Sequence, residues 1–254
     1  MTCRAVLMRA KSGSVLSHGS SVIEQGGKVF GFDLREVHLN RVDGRAGRRE
    51  AGVVQHRALL PATQVRVVNG VPVTSPARAA TEMSTLVGLE SCLVTTNWFL
   101  GHGDMTRAEM REMLAASRHW PRTLHNPLLE MLMDGRNQWP GEARLSYILW
   151  RHSVPRPIPQ YPVRGLDGAL VGIVDFAWPG LGVFLEFDGR IKYERHRRHG
   201  ESLEQFLLRE KQREELIVQL TGWTCIRVTW AQLGQPTQLA GRIMRVLESR
   251  RLAA

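Results

Sequence analysis

The chain has 254 residues, long enough for one large domain or two modest ones, each with a real core. At 43% hydrophobic and 23% charged residues it lies in the globular range, which excludes a disordered, collagen-like or coiled-coil chain. The 34 Lys+Arg against 24 Asp+Glu give a net charge of +10, a balance that points to polyanionic partners such as nucleic acid.

Thirty of the basic residues are arginine, which suits phosphate contacts and equally suits the codon bias of a GC-rich genome. The charge is spread evenly, with 17 basic against 12 acidic residues in each of 1–141 and 142–254. Cys3, Cys92 and Cys225 are far apart and form no C-x-x-C pair, so neither a disulfide framework nor a cysteine zinc site is expected, and a reducing cytoplasm is the default compartment. Met1 to Ser20 lacks the apolar stretch of a signal peptide, and nowhere do 18 apolar residues run together, so secretion and membrane spanning are not expected.

Residues 1–80 mix short apolar stretches with glycine-rich turns and predict a small α+β unit; Asn69-Gly70 is a hairpin dipeptide between Val65–Val68 and Val71–Val73. Residues 81–138 read as a helical connecting region. Helices are expected over Pro76–Val87, Leu89–Leu100, Thr106–Ser117, where Thr106 and Glu109 make a capping box, and Leu124–Met133. Met83, Met110, Met113, Met131 and Met133 are expected as core filling. Asn137 to Gly141 marks a junction, and residues 139–254 form the last domain.

In that last domain Glu142–His152 has the apolar spacing of an amphipathic helix, followed by strands over Gln160–Arg164, Val171–Trp178 and Val183–Asp188. A helix over Ser202–Thr221 stopped by Gly222, a strand over Trp223–Trp230 and a helix over Gln238–Arg251 complete the order helix, three strands, helix, strand, helix. Glu186 and Asp188 share one face of their strand. If the turn at Gly180 and Leu181 is symmetric, residue numbers summing to 361 stand opposite one another, so Asp175 faces Glu186. Like charges opposite one another strain a sheet unless a cation relieves them, and hard oxygen ligands favour Mg²⁺ or Mn²⁺. The basic run of Arg190, Lys192, Arg195, Arg197 and Arg198 begins two residues beyond these acids, where phosphates would lie, and reads as a DNA contact.

The blocks Pro140–Leu145, Val174-Asp175-Phe176, Glu186–Tyr193, Glu210–Glu214 and Gly222–Trp230 resemble the domain related to very-short-patch repair endonucleases, in the PD-(D/E)XK restriction-endonuclease superfamily. The resemblance covers roughly residues 139–250. It implies a restriction-endonuclease-like α/β core with Glu142, Asp175 and Glu186 around a metal, Asp188 beside them, and hydrolysis of DNA phosphodiesters. The superfamily lysine two residues after Glu186 is replaced by Asp188, so that duty falls to Lys192 or Lys211; Arg213 joins the arginine run as a DNA contact. Upstream, Leu16–Ser21 and Val71–Arg78 resemble the AbiEi-type antitoxin domain that precedes such nuclease-like domains in actinobacterial proteins, here without the usual winged helix. His18 is assigned no catalytic role.

The expected function is therefore a cytoplasmic Mg²⁺-dependent DNA endonuclease of phage or prophage defence, or of DNA repair. The alternative is a catalytically decayed nuclease fold that serves as a DNA-binding regulator, an antitoxin-like component or a protein-binding module. DNA and a protein partner from a defence or toxin–antitoxin operon are the expected partners.

Overall fold

In the computed structural model, which describes residues 3–10, 13–137, 139–165, 167–188 and 200–253, Asn69 and Gly70 both take positive φ, 52° and 77°. That is the backbone twist a two-residue hairpin needs, and it pairs β5 (Val65–Val68) antiparallel with β6 (Val71–Thr74). These strands form one edge of a six-stranded mixed sheet with β1 (Ser14–Leu16), β2 (Val37–Arg41), β3 (Arg48–Glu50) and β4 (Val53–Arg57), in the order β3-β4-β2-β1-β6-β5. β2 runs parallel to β4, and β1 parallel to β6. Leu16, Val37, Leu39, Val71 and Val73 meet Val6 of α1 (Cys3–Arg9) in one apolar cluster.

α2 (His18–Glu24), α3 (Pro76–Met83), α4 (Leu89–Gly101), α5 (Arg107–Ala116) and α6 (Asn126–Leu132) complete this unit. The expected capping box forms: the Thr106 hydroxyl accepts from the Glu109 N–H, and Glu109 accepts from the Thr106 N–H. α3 is shorter than its apolar pattern predicts. The Ser84 and Thr85 hydroxyls donate to the Thr81 and Glu82 carbonyls, which competes with the backbone and ends the helix at Met83. Four of the five methionines are buried as expected, whereas Met131 is 48% exposed.

The chain divides into two compact units, Met1–Ala143 and Arg144–Ala254. No division falls near residue 80, because Glu82 and its neighbours on α3 bond back into the sheet. α7 (Pro140–Arg151) carries the division, and the second unit continues with β7 (Ile158–Arg164), β8 (Leu170–Trp178), β9 (Val183–Asp188), α8 (Leu203–Thr221), β10 (Thr224–Thr229), α9 (Trp230–Leu233) and α10 (Pro236–Ala253). Its sheet order is β10-β9-β8-β7, antiparallel except for the β9/β10 pair. Both units are thus mixed α+β, as expected.

A parallel pair needs a crossover, and α8 supplies it. Phe176, Leu185, Phe187, Ile226 and Val228 face Leu145, Ile148 and Leu149 of α7 and Ile243 and Leu247 of α10. Ala177 and Phe184 face Ile217 of α8 on the other side. Gly222 closes α8 in the left-handed region, φ 65°, with its N–H on the Val218 carbonyl at 2.8 Å. Replacing Gly222 by Ala should lower stability by about 1 kcal/mol in chemical denaturation, and Gly222→Asn by less, because asparagine tolerates that conformation.

Candidate functional site

The β8/β9 register pairs Phe176 with Leu185, Ala177 with Phe184 and Trp178 with Val183, so opposed numbers sum to 361. Asp175 and Glu186 are the next step along. There the ladder stops: the Phe187 N–H donates at 2.7 Å to Asp175 Oδ2 instead of to a β8 carbonyl. On the other side, β7/β8 pairing runs from Pro159/Phe176 to Tyr161/Val174 and passes over Asp175 and Gln160, whose φ is +50°. Asp175 therefore sits, 6% exposed, at a break in both ladders, the kind of distortion that re-aims a side chain.

Glu186, 7% exposed, lies on the face covered by α8. Arg213 of α8 donates to Glu186 Oε1 at 3.0 Å, to Glu210 Oε2 at 3.1 Å and to the Ile173 carbonyl at 2.8 Å. Burial works against its charge, but Glu186, Glu210 and Asp175 together hold its guanidinium above the ordinary arginine range. Asp188 has a different partner: Arg227 of β10 spans both its carboxylate oxygens at 3.1 Å and also reaches Glu214 of α8.

The structure thus joins Glu186 to Glu210 through Arg213, with Asp175 near enough to add to the field at Arg213, and Asp188 to Glu214 through Arg227. Arg213, expected as a DNA contact, is an internal counter-ion here. Lys211 lies apart, 71% exposed and 3.7 Å from Glu215 one turn on. Glu142 is buried in the first turn of α7, its Oε2 3.4 Å from the Trp139 backbone N. Arg190, Lys192, Arg195, Arg197 and Arg198 lie outside the described residues.

The first unit holds a second cluster that the sequence reading did not assemble. Glu82 of α3, 2% exposed, accepts from the His18 backbone N–H at 3.1 Å, from Asn40 Nδ2 at 2.6 Å, from Thr74 Oγ1 at 3.2 Å and from Arg78 Nε at 2.8 Å. Arg78 also donates to Gln64 Oε1 at 2.7 Å and lies 4.3 Å from the centre of the Trp120 ring. His18, in the left-handed region at φ 50°, stacks at 4.0 Å on His56, and His38 Nδ1 is 2.9 Å from His56 Nε2.

All three imidazoles are pushed toward the neutral form. Burial lowers His18 well below its usual value, aided by His56, His38 and Arg78; burial lowers His38, with Glu36 opposing; burial and then His38 bring His56 down to about 4, with Glu82 opposing. A cavity of about 460 Å³ opens over His18, His56, Arg78, Glu82 and Trp120.

Both upstream motifs converge here. Ser75 caps α3 and Pro76 starts it, which aims Arg78 at Glu82; Ser20 Oγ accepts the His38 N–H at 2.9 Å; and a Cβ on Gly19 would stand 2.3 Å from the Phe32 ring.

Residues 21–131 match the family model of the AbiEi antitoxin C-terminal domain. The match begins inside α2, ends in α6 and contains Glu82, His38 and His56. Two relatives from Mycobacterium tuberculosis, strains CDC 1551 and H37Rv, both described as uncharacterized proteins, are each 27% identical over 239 residues, 93% of this chain and 84% of theirs. No solved structure matches the chain.

Replacing Arg213 by Met removes the main counter-charge of a buried carboxylate. The denaturation midpoint should fall by an amount worth about 2 kcal/mol, and adding Glu186→Gln should recover most of it. The histidines give a pH dependence. Their folded affinity for protons is depressed, so below pH 6.5 the unfolded chain binds protons that the folded chain refuses, and stability rises with pH between about 4 and 6.5. Urea midpoints measured at pH 5 and pH 7 should show this rise, and His56→Asn should flatten it.

Proposed function

We propose that this chain is the antitoxin-type component of a phage-defence or toxin–antitoxin pair, with a second unit of nuclease-like fold retained for binding nucleic acid. The match of residues 21–131 to the AbiEi antitoxin C-terminal domain carries the reading. The second unit supports it electrostatically, because Arg213 and Arg227 stand against Glu186 and Asp188 where a catalytic cation would be needed. The +10 net charge favours a polyanionic partner. No described helix is long and apolar enough to cross a membrane.

The metal implied by the nuclease resemblance is Mg²⁺ or Mn²⁺. Carboxylate oxygens are right in kind. As placed, however, Glu186 is charge-paired with Arg213 and Asp175 holds the Phe187 N–H, and the Asp175, Glu186 and Asp188 carboxylates do not form a group of three mutually close ligands. The acid face does not fit the ion in this arrangement, and no catalytic step is derived through it.

One observation favours the second reading, a metal-dependent endonuclease. Among the described residues, Asp175, Glu186, Asp188, Glu201, Glu210 and Glu214 gather six carboxylates against the three guanidiniums of Arg209, Arg213 and Arg227, so carboxylates outnumber the cations described beside them. In that reading Asp175, Glu186 and Glu142 hold the ion, and Lys192 or Lys211 orients water.

Two assays separate the readings. The open reading frame adjacent to this gene should arrest growth when expressed alone and should not when this chain is co-expressed; absence of any toxic neighbour counts against the antitoxin reading. Plasmid, single-stranded and mismatched DNA should survive incubation in Mg²⁺ or Mn²⁺, and a hundredfold excess of Mg²⁺ over a millimolar-range affinity should leave the thermal midpoint unmoved, whereas a bound ion would stabilise the fold by about 2.7 kcal/mol. Cleavage that stops with EDTA and with Glu186→Gln would establish the nuclease instead.

A further inference from the structure

The three histidines of the first unit come from separate parts of the chain. His18 opens α2, His38 lies on β2 and His56 on β4, where parallel pairing sets Asn40 beside His56 and His38 beside Val54. Among the described residues they are the one group of three metal-ligating side chains whose ligand atoms all lie within 4.8 Å of one another. Two of them are fully buried, at 4% and 6% exposure, and His56 is half-buried.

Three imidazoles gathered at one point need a reason, since a core that only had to be filled would be better served by leucine or valine. The separations suit a metal. Two nitrogens bound to one tetrahedral zinc at about 2.0–2.1 Å stand about 3.3–3.4 Å apart, and the rings' centres about 5 Å apart. His38 Nδ1 and His56 Nε2 are 2.9 Å apart, and the ring centres of His38 lie 5.1 Å from His56 and 5.4 Å from His18. To take the ion, the 4.0 Å stack of His18 on His56 must open by roughly an ångström and the 2.9 Å His38–His56 contact by about 0.4 Å.

The surroundings are those of a ligating histidine. Ser17 Oγ lies 3.0 Å from His18 Nδ1, an outer partner of the kind that fixes ring orientation at a metal site. His18 is held at φ 50° by its N–H bond to Glu82, a strained conformation maintained by a buried carboxylate. The imidazoles are kept neutral, which is the ligating form. His18 and His56 both line the 460 Å³ cavity, which leaves room for a fourth ligand from solvent.

The geometry points to a three-imidazole site for zinc or a similar first-row divalent cation, formed by His18, His38 and His56, with its open coordination position facing the Glu82–Arg78 cavity. Imidazole donors select this class of ion over magnesium. The site is independent of the carboxylates of the second unit and of the reading proposed for them.

The test uses the full chain, freed of any affinity tag and dialysed against EDTA. Titration with ZnCl₂ against a chromophoric chelator should give one zinc per chain, and Co²⁺ in its place should give the intense visible absorption of a four-coordinate site. His56→Asn, the half-buried member and the least disruptive to folding, should weaken zinc by at least about 100-fold while the circular dichroism spectrum is retained. Asp175→Asn with Glu186→Gln should leave the titration unchanged. X-ray absorption at the zinc edge of the wild-type complex should show imidazole scattering and no sulfur, which keeps the test decisive if the variant misfolds. Absence of saturable one-to-one binding, undiminished binding by a folded His56→Asn, or a sulfur ligand would each overturn the assignment.

Discussion

One buried carboxylate organises the first unit. Glu82 takes hydrogen bonds from the start of α2, from β2, from β6 and from its own helix, so two segments distant in sequence and two close by meet at two oxygen atoms. A charge this far from water persists only where donors surround it, and once they do, the position of each donor is fixed by the others. The positive φ of His18 accompanies its N–H bond to this group, and Glu82 and Arg78 together form part of the cavity wall. Arg78 supplies the compensating charge and itself lies over the Trp120 ring, 4.3 Å from its centre.

The second unit meets the same problem with a different solution. Its acids lie along one face of β8 and β9 and are served by guanidiniums from α8 and β10, whose planar forks each span two acceptor groups. Neutral donors and one arginine give the first site a fixed polar lattice. Arginines that each bridge two carboxylates give the second a network that would exchange partners if another cation or a phosphate entered. The break in the ladders at Asp175 belongs to this design, because a carboxylate that captures a backbone N–H releases the strand from regular pairing at that point.

Much of the architecture was legible in the sequence. The order of elements after residue 140, apart from the short helix α9 that starts at Trp230 where the strand was expected to run on, the stop at Gly222, the Asn69-Gly70 turn and the register summing to 361 each rest on a local rule that the packing leaves intact. The α2 helix and the short strands β1 to β4 were not legible, since three to five residues carry too little periodicity to separate strand from loop. The site chemistry was read less well. Strand alternation put Glu186 and Asp188 on one face, but nothing local announces that residues 213 and 227 will supply their counter-charges. The histidine cluster depends on β2 lying parallel to β4, a pairing between strands that are not chain neighbours in any hairpin, and only that pairing brings residues 38 and 56 together. The Leu16–Ser21 and Val71–Arg78 motifs pointed to this region, but not to Glu82, whose burial only the packing of α2, β2 and β6 around it reveals.

The parallel pairing of β9 with β10 also orders events in time. Arg227 follows Asp188 by 39 residues, with α8 between them, so while the chain is being synthesised the acids of β9 emerge well before the cation that closes over them. Until β10 is released, the nascent sheet ends at β9 with an open hydrogen-bonding edge and a surplus of carboxylates, and a contact of this sequence separation forms late in folding. The acid face of the second unit is thus completed only once β10 has been made, and a chain truncated before residue 224 would carry the acids without the strand that covers them.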